Sequence, residues 1–520
     1  MKLIIEKIKF SYFRDTFKNI KFIFKKLFAN LLGLNFLWNG NFESFINNPK
    51  AKILLFAPSM TLDKPNYLNV GLRNLIEEGK LINVEVEVMQ CVGGLDICHL
   101  GGSPFSSSAN LPCKSCSKVN SELYKDLKII KFSNIKKNYD LSSLNFEELK
   151  NFNYKKIELG QKSLTSIAWI LRTPEITDKH YDYLKKSIKS GIKLIDYLET
   201  LDLSSFDGVI VFNGLTLPES IMYDWCLLNN INVATFESGW SINNEYALEF
   251  SYKPTPQHFF KFEKRTLNEN EELKIQNYLL EKRSQFSEFT TQDKRKIISI
   301  FGNVSWDTTQ VISSTIFNSM FNWLDSLVPI INENKDYLFV FRAHPGENRN
   351  IKETWYGLDK WYEKNKHKIY SNSICYSTND NVDSYEILEK SELVLVYNST
   401  IGIESTMFGK KVLAAANTHY SKVGIVDSYK NRDDYIDSLK SIIEKEIFNI
   451  SDAKSELAKS YYFQLLNDVA YNFGNINFPL SFQEHTLIEN YKVGSHGVAN
   501  MSKFIENFIE RNPIEKKFNL

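Results

Sequence analysis

Cysteine is scarce in this chain, with six among 520 residues. That is too few for a disulfide scaffold at this length, and a reducing cytoplasm is the expected compartment. Net charge is nearly absent: 63 Lys and Arg against 62 Asp and Glu leave a formal +1. No global field therefore argues for nucleic acid. Long apolar runs are missing too. The most apolar stretch, Leu27 to Trp38, is too short to span a bilayer and follows Lys25 and Lys26. The first residues alternate charged and apolar side chains without a small-residue cleavage site, so no signal peptide is expected. There is no Gly-x-Gly-x-x-Gly fingerprint of the dinucleotide-binding type, no internal repeat and no low-complexity tract.

What is present is an ordinary globular balance, 43% hydrophobic and 24% charged, long enough for two or three domains. Residues 1–48 are basic and aromatic. Phe13, Phe17, Phe24 and Phe28 recur at near-helical spacing among Lys18, Lys21, Lys25 and Lys26. Such a segment reads as an amphipathic helix, either on an anionic membrane face or packed on the protein with its lysines in water.

Residues 49–265 read as a first Rossmann-like domain. Its expected strands are Lys52–Pro58, Val84–Met89, Gly208–Phe212 and Val233–Phe236, with helices near Val70–Glu78 and Pro218–Leu228. Residues 120–200 read as polar and mostly helical. A charged helical linker is expected at 266–295. A second Rossmann-like domain follows at 296–470, with strands starting near Ile297, Phe339, Ile374, Leu393 and Val412. Helices are expected over 471–520, with the last crossing back onto the first half. Strand–loop–helix alternation of this kind argues for parallel sheets with right-handed crossovers.

The chemistry concentrates between Phe339 and Gly409. One apolar run ends at Arg342-Ala343-His344-Pro345-Gly346-Glu347. Another ends at Asn398-Ser399-Thr400-Ile401-Gly402-Ile403-Glu404. Strands of an open α/β sheet deliver ligand loops at their carboxyl ends. Small hydroxyls and free N–H groups at a helix start suit phosphate, and an imidazole or guanidinium on the neighbouring strand suits its other side. His344 is the leading phosphate ligand. Arg342 either joins it or pairs with Glu347. Ser399, Thr400 and Gly402 serve as a helix cap, a phosphate loop, or both. Glu404 can accept from ribose hydroxyls or stabilise the helix start. Gly302, Asn303, Ser305, Pro345, Glu347, Ser384, Tyr385 and Asn398 complete the expected donor side.

Three carboxylates are candidates for base chemistry: Glu237 and Asp307 near strand ends, and Asp96. Glu237 is preferred as base, with the bland alternative that it caps a following helix. Asp307 more naturally orients the nucleotide. Asp96, Asn213 and Gly214 fall on the acceptor side. Cys98, His99, Cys113 and Cys116 form a weak zinc set, since only one pair has Cys-x-x-Cys spacing. The alternative is ordinary thiols, Cys91 included, around an acceptor-side loop.

Arg-x-His-Pro-Gly-Glu, then Ser-Thr-Ile-Gly-Ile-Glu and Gly-Lys-Lys-Val, resembles the donor half of bacterial capsule-polysaccharide glycosyltransferases of the GT-B fold, some of them Kdo- or sialic-acid-transferase-like. The resemblance reaches upstream to Ser305-Trp306-Asp307 and Phe236-Glu237-Ser238-Gly239, covering roughly residues 200–425. It implies two Rossmann-like domains facing a cleft, and transfer of a sugar from a CMP- or UDP-linked donor to a surface glycan or glycolipid. A cytoplasmic enzyme is expected, and the membrane reading of residues 1–48 would make it peripheral on the inner membrane face. The chain lacks an Asp-x-Asp motif in a strand-end loop, so metal-independent catalysis with no further cofactor is expected. Retaining and inverting outcomes stay open. A teichoic-acid-type glycerol- or ribitol-phosphate transferase and a silent scaffold subunit are the alternatives.

Overall fold

The computed structural model describes residues 46, 48–58, 67–98, 111, 113–133, 139–173, 176–243, 247–254, 261–283, 286–348, 354–472 and 501–514. The helix expected around Phe13–Phe28, the ligand His99 and most of the loop from Gly101 to Leu111 lie outside these residues.

Short runs of Ile, Leu, Val and Phe bury both faces of a strand, which is what a parallel sheet with helices on both sides requires. In β1 (Ala51–Phe56), Ile53 and Leu55 enter one core while Leu54 and Phe56 enter another, following the two-residue period of a pleated strand. The chain continues through β2 (Val84–Cys91), β3 (Ile129–Phe132), β4 (Gly208–Phe212), β5 (Val233–Ser238) and β6 (Ala247–Ser251). Their order across the sheet is β6-β5-β4-β1-β2-β3, parallel except for β6. Helices Leu159–Leu171, Tyr181–Leu198 and Glu219–Leu228 cover one face, and Tyr67–Leu81 covers the other.

The second sheet is built from β7 (Lys296–Phe301), β8 (Tyr337–Arg342), β9 (Ser373–Tyr376), β10 (Ser391–Val396) and β11 (Lys411–Ala414), in the order β11-β10-β7-β8-β9, all parallel. Helices Met320–Glu333 and Arg432–Glu444 pack on one side, and Glu269–Arg283, Ile401–Met407 and Asp452–Asn467 pack on the other.

After Asn467 the chain returns to the first sheet. β12 (Tyr471–Asn472) adds antiparallel to β6. Helix Met501–Ile509 then packs on Tyr67–Leu81, where Ser502 donates from its backbone N–H and hydroxyl to Glu78 Oε2 at 2.8 and 3.0 Å. Phe504 stacks on Phe250 with centroids 3.9 Å apart.

Each sheet thus has the parallel order third-second-first-fourth-fifth, with a topological switch point between its first and fourth strands, where open α/β sheets hold ligands. Two such halves facing a cleft, closed by a C-terminal return, make the fold GT-B-like.

Three strands depart from the expected pattern. β3 lies in the stretch read as mostly helical, and β12 lies in a stretch read as helices. No helix follows β5 among the described residues: Gly239 still donates its N–H to the Ala247 carbonyl, and the chain comes back antiparallel as β6. Glu237 is therefore inside a strand, opposite Glu249, and cannot be a helix cap.

Candidate functional site

A cavity of about 540 Å³ opens at the carboxyl ends of β7, β8 and β10. Its floor is Phe301-Gly302, Ala343–Gly346 and Ser399–Ile401. Gly302 is needed where it stands, because an added Cβ would lie 2.7 Å from Leu358 Cδ1. Gly402 has a similar reason: its Cβ would meet the Tyr420 hydroxyl at 2.5 Å. That hydroxyl donates to the Ser399 carbonyl at 2.7 Å and fixes the loop from inside the core. The Ser399 and Thr400 side chains line the cavity, and the Thr400 hydroxyl makes no capping bond to the helix Ile401–Met407.

His344 is half-buried on the cavity wall, and its Nδ1 accepts the Gly346 N–H at 3.0 Å. An acceptor Nδ1 puts the proton of a neutral imidazole on Nε2. Pro345, exposed, lies beside it.

Arg342 is 1% exposed. Its guanidinium donates to the Ser377 carbonyl at 2.6 Å, the Val382 carbonyl at 3.2 Å and Ser384 Oγ at 3.3 Å. Burial pulls its pKa below the ordinary arginine value, opposed by Asp380. These contacts tie the 377–384 segment to β8, and they replace the expected pairing with Glu347. Glu347 instead accepts the Ser305 N–H at 3.2 Å, and burial raises its carboxyl to about 8. Ser305 Oγ donates to the Tyr356 carbonyl.

Asn303 and Asn398 form a brace beneath the loops. Asn303 Oδ1 accepts the Asn398 N–H at 3.2 Å, and Asn398 Nδ2 donates to Ser313 Oγ at 2.8 Å. Asp307 Oδ1 accepts the Thr309 N–H at 2.8 Å at the start of helix Thr309–Ser313.

Glu404 is 4% exposed, and its Oε1 accepts from Tyr462 at 2.5 Å, from Tyr385 at 3.0 Å and from Lys282 Nζ at 3.3 Å. Burial and the carboxylate hold both tyrosines well above their ordinary pKa, so they stay donors. Burial alone would lower Lys282, but Glu404 beside it holds the ammonium above its usual value. Lys282, Tyr278 and Phe286 come from the stretch read as a linker, Tyr462 from a C-terminal helix, and Trp240 from the first half. Sequence reasoning missed all five. A charged helix ending in Tyr-Leu-Leu-Glu-Lys-Arg gives no hint that its lysine faces a helix more than 100 residues away.

The first half gathers a carboxyl pair of its own. Asn213, at φ +54°, and Gly214, at +83°, make a tight turn after β4. Asn213 Nδ2 donates to Glu237 Oε2 at 2.5 Å. Directly across the β5–β6 register sits Glu249, 1% exposed, with Oε1 accepting the Trp240 N–H at 3.1 Å and Oε2 without a hydrogen-bond partner. Burial, with Glu237 adding to it, raises the Glu249 carboxyl to about 8. Asp96 is bound to Lys193 Nζ at 2.7 Å and takes no part in this pair.

Among the thiols, burial raises Cys91, with Cys113 adding to the rise, and Cys116 Sγ accepts from Asn120 at 3.5 Å. Among the described residues, no group of three or more His, Cys, Asp or Glu is placed to hold a metal ion. No helix among them is long and apolar enough to cross a membrane.

No protein-family model matches the chain, and no curated protein matches its sequence. Solved structures do resemble it. The beta Kdo 2,4 transferase KpsC of Thermosulfurimonas dismutans is 10% identical with a TM-score of 0.33, over 49% of this chain and 79% of that one. The UDP-GlcNAc 2-epimerase of Neisseria meningitidis bound to UDP-GlcNAc is 14% identical with a TM-score of 0.26, over 80% and 98%. The trehalose-6-phosphate phosphatase N-terminal domain of Candida albicans is 10% identical with a TM-score of 0.33, over 90% and 99%.

Proposed function

We propose that the chain is a glycosyltransferase that holds a CMP- or UDP-linked sugar in the cavity of the second half and meets a glycan or glycolipid acceptor from the first. The observation that carries this reading is the cavity itself. It lies at the switch point of the second sheet, with His344, Ser399 and Thr400 on its wall. The tautomer set by Gly346 gives His344 an Nε2–H to donate to a phosphate oxygen as the nucleotide leaves, and the two hydroxyls donate beside it. Glu237, held by Asn213, is the proposed base for the acceptor hydroxyl. On this reading residues 1–48 keep the enzyme at the inner membrane face.

Calorimetry with CMP, CDP, UDP and GDP tests the donor site. At least one should bind, and His344→Ala should weaken it by about 1.5–3 kcal/mol, the worth of a hydrogen bond to a charged group. Unchanged affinity in that variant removes His344 from the site.

A further inference from the structure

We infer that Lys282 is the cation that meets the phosphate of the bound nucleotide, an assignment that rests on the nucleotide-donor reading and names the group that completes it.

Two basic side chains, Lys282 and Arg342, line the cavity besides His344. Arg342 is 1% exposed, and its guanidinium is bonded to two carbonyls and a hydroxyl of the 377–384 segment. Turning it toward a ligand would strip three bonds from a buried charge, which is costly. The Lys282 side chain is 42% exposed, and its ammonium lies 3.3 Å from Glu404 Oε1 and 3.4 Å from the Tyr462 hydroxyl. A lysine ammonium is a compact charge on a flexible stem with three donors, so it can swing or share its bonds.

Glu404 permits that swing. When Lys282 turns to a phosphate, the carboxylate keeps the Tyr385 and Tyr462 hydroxyls on the same oxygen. No buried charge is left without a partner, which is the usual obstacle to breaking such an ion pair. The Tyr278 ring, 4.7 Å from Nζ, adds a cation–π contact where the ammonium now stands. Glu404 thus parks Lys282 at the mouth of the cavity, and an anion competes for it. The helix Glu269–Arg283, which joins the two halves, thereby contributes to ligand binding.

The test uses the full chain, calorimetry with CMP, CDP, UDP and GDP, and the matching nucleosides without phosphate. Lys282→Met should bind the best nucleotide about 10-fold or more weakly, in line with losing a hydrogen bond to a charged group. Lys282→Arg should retain most of the affinity, and nucleoside binding should not change. Added salt should weaken the wild type more than Lys282→Met. Thermal unfolding of both variants confirms that they fold. If Lys282→Met binds nucleotide as tightly as wild type, the assignment fails while the donor reading stands. Equal loss for nucleotide and nucleoside also overturns it, since Lys282 would then act through packing. If wild type binds none of the four nucleotides, the donor reading fails and takes this assignment with it.

Discussion

The first sheet gains two antiparallel strands beyond β5, whereas the second ends at β11 with every strand parallel. Beneath that difference the parallel order is the same, and so is the position of the switch point. The halves differ in what stands at their strand ends. In the first half, β6 returns beside β5 and lays Glu249 against Glu237, and Asn213 in the turn after β4 donates to Glu237. In the second half the loops after β7, β8 and β10 open around a cavity. One topology gives two kinds of strand end: a buried carboxyl pair, and an open cavity. The proposed transfer would use both, since an acceptor must lose a proton while a donor's leaving group gains a partner.

The largest effect expected concerns what keeps the second site open. Arg342→Ala removes three hydrogen bonds made by a charged donor to the half-buried 377–384 segment, each worth about 1.5–3 kcal/mol, with water recovering part of the loss. The variant should lose about 3–5 kcal/mol in urea unfolding, and Arg342→Lys should not restore it, because an ammonium cannot reproduce the fork. A loss below 1 kcal/mol, or full rescue by lysine, would mean the guanidinium is not a brace and is available to the ligand after all.

Each half also buries a carboxyl that burial raises to about 8 from an ordinary 4.5, Glu249 in the first and Glu347 in the second. Below about 4.5 the folded and unfolded chains both hold the proton, and neither group disfavours folding. As pH rises, the unfolded chain releases its proton while the folded chain keeps it until about 8. Stability therefore declines across this window. The decline should be on the order of 2–4 kcal/mol for each group between pH 5 and pH 8. Gln at either position should flatten the unfolding profile over that range, and the double variant should flatten it further. A profile equally steep in Glu249→Gln and wild type would show that the first-half carboxyl titrates as an exposed group, and the contrast with the open second site would weaken.

Much of this contrast could be read from the residues alone, and the exceptions share a cause. β1, β4, β7, β8 and β10 announce themselves as apolar runs because both of their faces are buried. β6 does not: Ala-Leu-Glu-Phe-Ser carries a glutamate at its centre, which interrupts the apolar run although the position is buried. β3 is four residues long and mostly half-exposed, which leaves it little pattern. The clustering of the Arg342–Glu404 segment around one cavity was legible because strand ends and small polar residues coincide there. The direction in which a long side chain reaches was not. Arg342 turns inward to a loop 35–42 residues on, and Lys282 reaches Glu404 across 122 residues. Such pairings follow from how helices dock, which no local spacing encodes.

The smallest predicted effect tests whether the two halves meet as described. Trp169, on a first-half helix, packs edge-on against Trp306, in the loop after β7, with centroids 5.9 Å apart and planes at 89°. Trp306 is anchored by its indole N–H, which donates to Thr354 Oγ1 at 2.8 Å, and the neighbouring Trp355 N–H donates to the first-half Arg172 carbonyl at 3.1 Å. The same loop carries Gly302 at the cavity, so this contact, like Trp240, brings the first half close to the site of the second. An edge-to-face aromatic pair is worth about 0.5–1.5 kcal/mol beyond the area it buries. A double-mutant cycle with Trp169→Leu and Trp306→Leu should return a coupling of that size in urea unfolding, because residues in contact depart from additivity. Leucine at both positions keeps apolar bulk and removes the ring geometry, so the cycle isolates the pair. Strictly additive variants would mean that the halves stand apart in solution at this edge, and that the cleft between the carboxyl pair and the cavity is wider than the contact implies.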